Sequence, residues 1–528
     1  YCASTSSLST WWSTTALLVD SDFYYSPELK IIFIKFRIYI ENDNNNLLNL
    51  LRKMEQIVII GAGASAVGTI IALKELGIKD NNIIIYRSEN KKKIIKTNYN
   101  FKKLLYRNDY KKIYSILKKK FGFSLIQKKT SSFNYLENIK HTSLLDNNFE
   151  YGFTSFWGGS VQVFDKKTAK KNSFNYSKLL KGYNKILNHI YITKGIKLNK
   201  SIDKIKSNSQ IKIDNNLKNF LNKFQNSKDI KCTINSIAIN SKSTSKNELI
   251  INDNLIGSTN NKIFNSKFFF RNLKKIKIKK KTVKNISFFK KKILLNNNFR
   301  KKFKKIFFCS GPYQTQKILA NNFKEFKKFR VKDTYCFNIP ILYLGKQKNK
   351  SDNYFSLTNL IINFKKNLNE VAQAQIYPPQ KHIFFSIFHH YLWNTLGWLY
   401  KYLFKRVYFA RVYLTEKYCI IRSFDLKTDK ILVKTKMPNS YDVKNIKKYI
   451  FLKMKNALKG TDFKILNIKI SSKTSTHYAG KVNTRVLNDL AKNQIFINDS
   501  TCWKFLPSYS PTLTIMTQAY INTLKAFK

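Results

Sequence analysis

Acidic residues are scarce in this chain: 30 Asp and Glu stand against 97 Lys and Arg in 528 residues, a formal net charge of +67. Such an imbalance raises a nucleic-acid partner, because cations neutralising phosphates dominate that affinity. Most of the excess is Lys scattered along the chain with abundant Asn and Ile, a pattern that A/T-rich codons alone produce, so no specific nucleic-acid partner is expected. Cysteine is equally thin. The six cysteines, at 2, 232, 309, 336, 419 and 502, include no C-x-x-C pair and no metal-ligand spacing. This excludes a disulfide framework and a metal cluster and suits a reduced, cytoplasmic chain. No N-terminal signal peptide is evident: IIFIKFRIYI is broken by Lys35 and Arg37 and precedes no small-residue cleavage site. No internal repeat is visible. A hydrophobic content of 43% excludes wholesale disorder, and the length predicts at least two domains.

Glycine is also sparse, 16 residues in all, so its clusters carry information. In IVIIGAGASAVG, Ile57 to Gly68, a buried strand runs into a glycine turn and then a helix. Gly61, Gly63 and Ala66 form G-x-G-x-x-A: the first allows a tight turn, the second lets a pyrophosphate approach the backbone, and the third lets helix and strand pack closely. Ala62, Ala64 and Ser65 complete the turn, whose free N–H groups and helix dipole suit a diphosphate. Val67, Ile70 and Ile71 supply the helix's apolar face, Gly77 ends it, and IIIY at 83–86 is the next strand. The acid that usually binds ribose at the end of that strand is missing at Tyr86 to Ser88. Glu89 is the nearest candidate.

Four further segments stand out: TSFWGGS at 154–160, CSGPYQTQKIL at 309–319, THYAG at 476–480, and NDSTCWKFLPSYSPTLTIMTQAY at 498–520. In this order and with the fingerprint, they resemble the glucose-methanol-choline (GMC) family of FAD-dependent oxidoreductases. The T-S-x-W-G-G spacing resembles a bacterial subgroup associated with polysaccharide biosynthesis. The resemblance spans Met54 to about Lys525 and rests on these short segments.

It implies an α/β fold: a Rossmann-like FAD-binding domain with a mostly parallel sheet, and an α+β substrate domain on an antiparallel sheet. The expected boundaries are a leader or extension at 1–53, an FAD domain at 54–330 with substrate-domain pieces within 170–300, a substrate domain at 325–470, and a return to the FAD domain at 470–528. Met54, directly before EQIVIIGAG, reads as the start of the working chain. The resemblance places Trp157, Gly158, Gly159 and Ser160 against flavin and diphosphate, Gly311 near the adenine end, Asp499 and Ser500 by the ribityl and diphosphate, and Pro511 and Thr512 at the flavin's pyrimidine edge.

It also makes His477 the active-site base for an alcohol, sugar or polyol substrate, with oxygen, a quinone or a protein as electron acceptor. An imidazole suits proton removal near neutrality. At the second catalytic position, where the family has Asn or His, this chain has Ser510, which hydrogen-bonds but is no base near pH 7. Two other readings stay open: a flavin-dependent reductase or isomerase of a nucleotide-linked sugar, and a non-catalytic cationic surface-binding protein on a Rossmann scaffold. The uncharged run at 383–400 contains His389 and His390, which have no partner cluster for a metal. Followed by Lys401, Lys405 and Arg406, it suits a core segment or lid over the substrate cavity, or peripheral membrane contact through 383–406, while its two His, Asn and Gly argue against a membrane span.

Overall fold

A computed structural model of the chain describes residues 56–87, 151–192 (without 156 and 158), 210–211, 213, 215–224, 229–239, 248–249, 264–273, 275–287, 292–295, 300–346, 358–367, 369–379, 402–403, 405–426, 431–467, 470–472 and 477–528. The segments 1–53 and 383–400, with Gly158 and Glu89, lie outside them.

Runs of Ile and Phe at Ile57–Ile60, Ile83–Arg87 and Lys305–Phe308 form the centre of a five-stranded sheet. Uninterrupted apolar strands of this kind need cover on both faces, which parallel sheets receive from crossover helices. Its order across the sheet is Lys277–Lys280, Ile83–Arg87, Ile57–Ile60, Lys305–Phe308, Ile495–Ile497, with every neighbouring pair parallel. In chain order this is 3-2-1-4-5, the doubly wound arrangement. Its direction reverses between the first and fourth strands, so a crevice opens beyond Ile60 and Phe308.

The helix Ala64–Glu75 leaves that crevice. Gly77 terminates it at φ +72°, with Gly77 N–H donating to Lys74 O and Ile78 N–H to Leu73 O, the reciprocal pair of a Schellman motif. One apolar face was expected; instead every residue from Ser65 to Leu73 is buried. The reason is the helix Thr512–Lys525, which crosses so closely at Gly68 that a Cβ there would lie 1.9 Å from Met516 O. The helix Tyr176–Leu187 packs against the same C-terminal helix, with Gly182 beneath Thr517.

A seven-stranded antiparallel sheet forms the second layer, in the order Phe463–Ile465, Cys336–Tyr343, Val407–Leu414, Asn369–Tyr377, Leu360–Lys366, Ile230–Ile234, with Ile470–Ser472 also on Cys336–Tyr343. One face, carrying Ile341, Ile362, Ala374 and Val412, packs on Leu217 and Phe220 of helix Asn215–Lys223 and on Ile446 and Ile450 of helix Ser440–Ala457. The other face carries the polar side chains Gln373, Gln375 and Arg411 alongside Val407 and Phe409. A four-stranded sheet, Ile431–Lys436, Ile420–Leu426, Lys328–Asp333 and Tyr478–Ala479, carries the THYAG segment.

The α/β class with an added antiparallel sheet is therefore as the sequence implied. One detail differs. In the Lys-rich stretch around 277–287, Lys277–Lys280 becomes the outer strand of the parallel sheet, while Val283–Ser287 joins a small antiparallel sheet. Among the described residues no helix is long and apolar enough to cross a membrane.

Candidate active site

The glycine turn sits at the switch point of the parallel sheet. Gly61 adopts φ +107°, and a Cβ there would lie 2.3 Å from Cys309 O, so neither conformation nor space admits another residue. Its N–H donates to Tyr86 O and Cys309 N–H donates to Ile60 O, which binds the turn to both neighbouring strands. Ala62 and Ala66 are buried, and the Ser65 hydroxyl donates to Cys309 O at 3.3 Å. Beneath, the Asn498 amide donates to Thr69 Oγ1 and Thr523 Oγ1, both at 2.8 Å, joining the last strand to the two crossing helices.

Helix ends show what the turn can hold. Five described helices start on an Asn or Asp whose side chain accepts from a first-turn N–H. Helices Ala64–Glu75 and Thr512–Lys525 start on Gly63 and Pro511, with no side-chain cap and no acid in the first turn. Among the described residues, a Cβ on Gly63 would meet only Gly152 Cα within 4 Å, at 3.9 Å, so there is room beside the Ala64–Glu75 N-terminus. Two such helix ends, each positive by its dipole, fit a dinucleotide diphosphate and a ring system that gains negative charge.

Of the other expected cofactor residues, Gly311 and Asp499 follow the fourth and fifth strands of the parallel sheet, and Trp157 and Ser160 turn their side chains to protein partners. Trp157 Nε1–H donates to Phe264 O at 2.7 Å, Gly159 holds φ +70°, and the Ser160 hydroxyl donates to Asn235 Oδ1 at 2.9 Å. Gly311 holds φ +88° and its N–H donates to Asp499 Oδ2 at 2.8 Å. The same carboxylate accepts from Thr315 Oγ1 and from the N–H and hydroxyl of Thr501. Asp499 thus caps the helix Pro312–Ala320 from another strand, and burial raises its pKa. Ser500 donates to Tyr478 O at 2.7 Å and accepts Gly480 N–H at its own carbonyl, which pins the THYAG strand to the Asp499 turn. Ser510 and Pro511 are buried, and Thr512 is half-buried at the first helical position.

His477 lies one residue before the pinned strand, and its carbonyl accepts Thr334 N–H at 3.3 Å. Its ring stacks on Tyr413, with centroids 4.9 Å apart and planes at 17°. Burial, and then the nearby Arg411 guanidinium, push the imidazole pKa down to about 3. Part of its surface stays accessible, as does part of Arg411.

Arg411 and Tyr413 carried no sequence signal. They occupy the polar face of the antiparallel sheet, alternate to Tyr408, Ala410, Val412 and Leu414, which enter the apolar core. Across the strands, Gln375 stands opposite Arg411 and Gln373 opposite Tyr413. Gln373 exchanges two hydrogen bonds with Gln162, at 2.8 and 2.9 Å, so the segment just after Ser160 is tied to this face. Ser508 donates to Glu370, and burial raises that carboxyl's pKa to about 7. The Gly159–Gln162, His477–Gly480 and Ser508–Thr512 segments therefore converge on one polar sheet face. Glu89, Gly158, His389 and His390 fall outside the described residues, and Arg87, at the end of the second strand, lies buried over the Tyr151 ring at 4.8 Å.

With this geometry in place, solved structures provide a comparison. Pyridoxine 4-oxidase from Mesorbium loti superposes with a TM-score of 0.51 at 9% identity, over 89% of this chain and 99% of its own. An FAD-dependent oxidoreductase from Chaetomium thermophilum does so with a TM-score of 0.51 at 9% identity, over 90% and 99%. This chain shares the fold of these two oxidoreductases. No family model and no curated protein sequence matches it.

Proposed function

We propose that the protein is an FAD-dependent oxidoreductase of glucose-methanol-choline type that oxidises a CH–OH group of an alcohol, sugar or polyol. The observation that carries the reading is the placement of His477. It stacks on Tyr413 one residue before a strand that Ser500 ties to the Asp499 turn, and Asp499 in turn holds Gly311 beyond the fourth strand of the parallel sheet. FAD, when bound, supplies the hydride acceptor.

The protein's own groups supply the rest. Amides of the Ala64–Glu75 N-terminus hold the diphosphate, and the Thr512–Lys525 N-terminus favours negative charge at the ring edge. His477, neutral across the physiological range, accepts the hydroxyl proton at an imidazole nitrogen. Tyr413 fixes its ring by stacking. Ser510 offers a hydroxyl as a hydrogen-bond partner to substrate oxygen. The bonded Gln162–Gln373 pair holds the segment after Ser160 on the antiparallel sheet. A sugar-type substrate follows from the T-S-x-W-G-G resemblance, and a cytoplasmic setting with peripheral membrane contact from the reduced cysteines and the 383–406 run.

The full chain, loaded with FAD and kept anaerobic, tests this. Loss of visible flavin absorbance on adding sugar alcohols, with none from NADH or NADPH, supports alcohol oxidation. Failure to bind FAD overturns it, and reduction by nicotinamides alone replaces it with a reductase.

A further inference from the structure

We propose that Glu370 is a positioning residue of the site: aimed by a bulge in its strand, it fixes the Ser510–Thr512 turn through the Ser508 hydroxyl and tightens that hold on ionising. The proposal rests on the reading of Ser510 and the Thr512–Lys525 N-terminus as flavin-side groups, and adds the group that sets them.

The bulge comes first. Along Asn369–Tyr377, Ala372, Ala374 and Ile376 enter the apolar core, so strict alternation would send Glu370 there as well. Phe364 instead pairs with Ala372 and Lys365 with Glu370, which leaves Val371 as an extra residue. Val371 packs on the core beside Ala372, and Glu370 turns to the opposite side, where it meets Ser508. Bulges re-aim side chains in this way beside active sites.

One strand thereby holds two segments of the site. Gln373 bonds Gln162 just after Ser160, and Glu370 accepts from the Ser508 hydroxyl two residues before Ser510. Beyond Ser510, the Thr514 and Tyr183 hydroxyls bond each other at 2.6 Å. Ser510 and Pro511 thus sit between two anchors, Ser508 and Thr514, and the first of these has a titratable partner.

Around the Glu370 carboxyl are Ser508 and Tyr509 on the turn, Asp165 and Lys171 at the two ends of the helix Lys166–Lys171, and Lys365 on the paired strand. Burial raises its pKa to about 7 against the Ser508 bond, which favours the ionised form; Asp165 adds to the rise, and Lys365 and Lys171 oppose it. An ionised carboxylate only accepts, and it bonds a hydroxyl more strongly than the neutral acid does. The hold on Ser508 therefore strengthens as pH rises through about 7, even though burying the charge costs the fold stability.

Full chains of wild type, Glu370→Gln and Ser508→Ala test this in two ways. Infrared difference spectra of the flavin-free chain follow the protonated carboxyl. Its band titrates at about 7 in wild type, is missing in Glu370→Gln, and titrates at higher pH in Ser508→Ala, which lacks the bond that favours ionisation. Anaerobic reduction of the FAD-loaded chain by glycerol and by sorbitol is then timed from roughly pH 6 to 8. The wild-type rate rises by roughly fivefold across the same midpoint, whereas both variants give flat profiles. His477 is neutral throughout this range and adds no step. A flat wild-type profile, an unchanged carboxyl midpoint in Ser508→Ala, or a rate step that survives in Glu370→Gln overturns the proposal. If Ser508→Ala does not fold, the rate step in wild type against Glu370→Gln decides. A Ser508-dependent titration in a chain whose bound flavin neither alcohol reduces overturns the oxidoreductase reading and leaves the Glu370–Ser508 hold standing.

Discussion

The His477 imidazole lies nearly parallel to the Tyr413 phenol ring, 17° from coplanar with centroids 4.9 Å apart. This contact joins the strand pinned to the dinucleotide crevice with the sheet that faces it. Offset aromatic pairs contribute about 0.5–1.5 kcal/mol beyond their burial. Tyr413→Phe preserves the stack and is expected to keep flavin reduction within a few-fold of wild type. Tyr413→Ala frees the ring and is expected to slow reduction by roughly tenfold or more while FAD stays bound. Stopped-flow reduction of the bound flavin separates the two.

Acid should stop the base later than an ordinary histidine. Burial and Arg411 hold His477 down at about 3, so it stays unprotonated as pH falls through the usual range. The first-order reduction rate is expected to show no His477 limb between pH 5 and 8. The depressed pKa has a stability counterpart: the contribution is present above the unfolded value near 6.5 and is lost as pH falls toward the folded value. A His477→Asn chain should therefore lose less stability on acidification, measured by denaturant unfolding.

Glu370 behaves in the opposite sense. Its folded pKa of about 7 exceeds the ordinary carboxyl value of 4.5, so its contribution is fully present below the unfolded value and is lost as pH rises through about 7. Glu370→Gln keeps an oxygen for the Ser508 hydroxyl and removes the buried charge. It is expected to stabilise the protein at pH 8 by about 1–3 kcal/mol and to have little effect at pH 4. Thermal unfolding at the two pH values checks it.

Gly68 is the point where two helices touch backbone to backbone. With Met516 O 1.9 Å from an added Cβ, Gly68→Ala forces the helices apart and is expected to cost more than about 3 kcal/mol. FAD affinity should fall with it, since the Ala64–Glu75 helix starts at the glycine turn. Gly77→Ala, where a Cβ meets nothing within 4 Å but φ is +72°, should cost only about 1 kcal/mol. Denaturant titration ranks the two.

The parts legible in the sequence are those where a local backbone rule is at work. Gly61 with its positive φ, Gly77 with its Schellman pair and Pro511 before the last helix each announce their geometry within a few residues. The parts that were not legible are pairings over long separations. Gln162 meets Gln373 across 211 residues, and Gly68 makes its contact with Met516 at the far end of the chain. No period or motif marks such partners. Arg411 was hidden differently: among 97 Lys and Arg, one cation facing inward looks like all the others. Asp499 was singled out by the family resemblance, but its bond to Gly311 at the start of Pro312–Ala320 depends on the sheet order.

Anaerobic reduction of bound FAD by a sugar alcohol, compared between wild type and His477→Ala, bears most directly on the central claim. The account predicts that both proteins bind FAD, that wild type is reduced, and that His477→Ala is slower by about 10²–10⁴-fold. Equal reduction rates with FAD bound in both would contradict it.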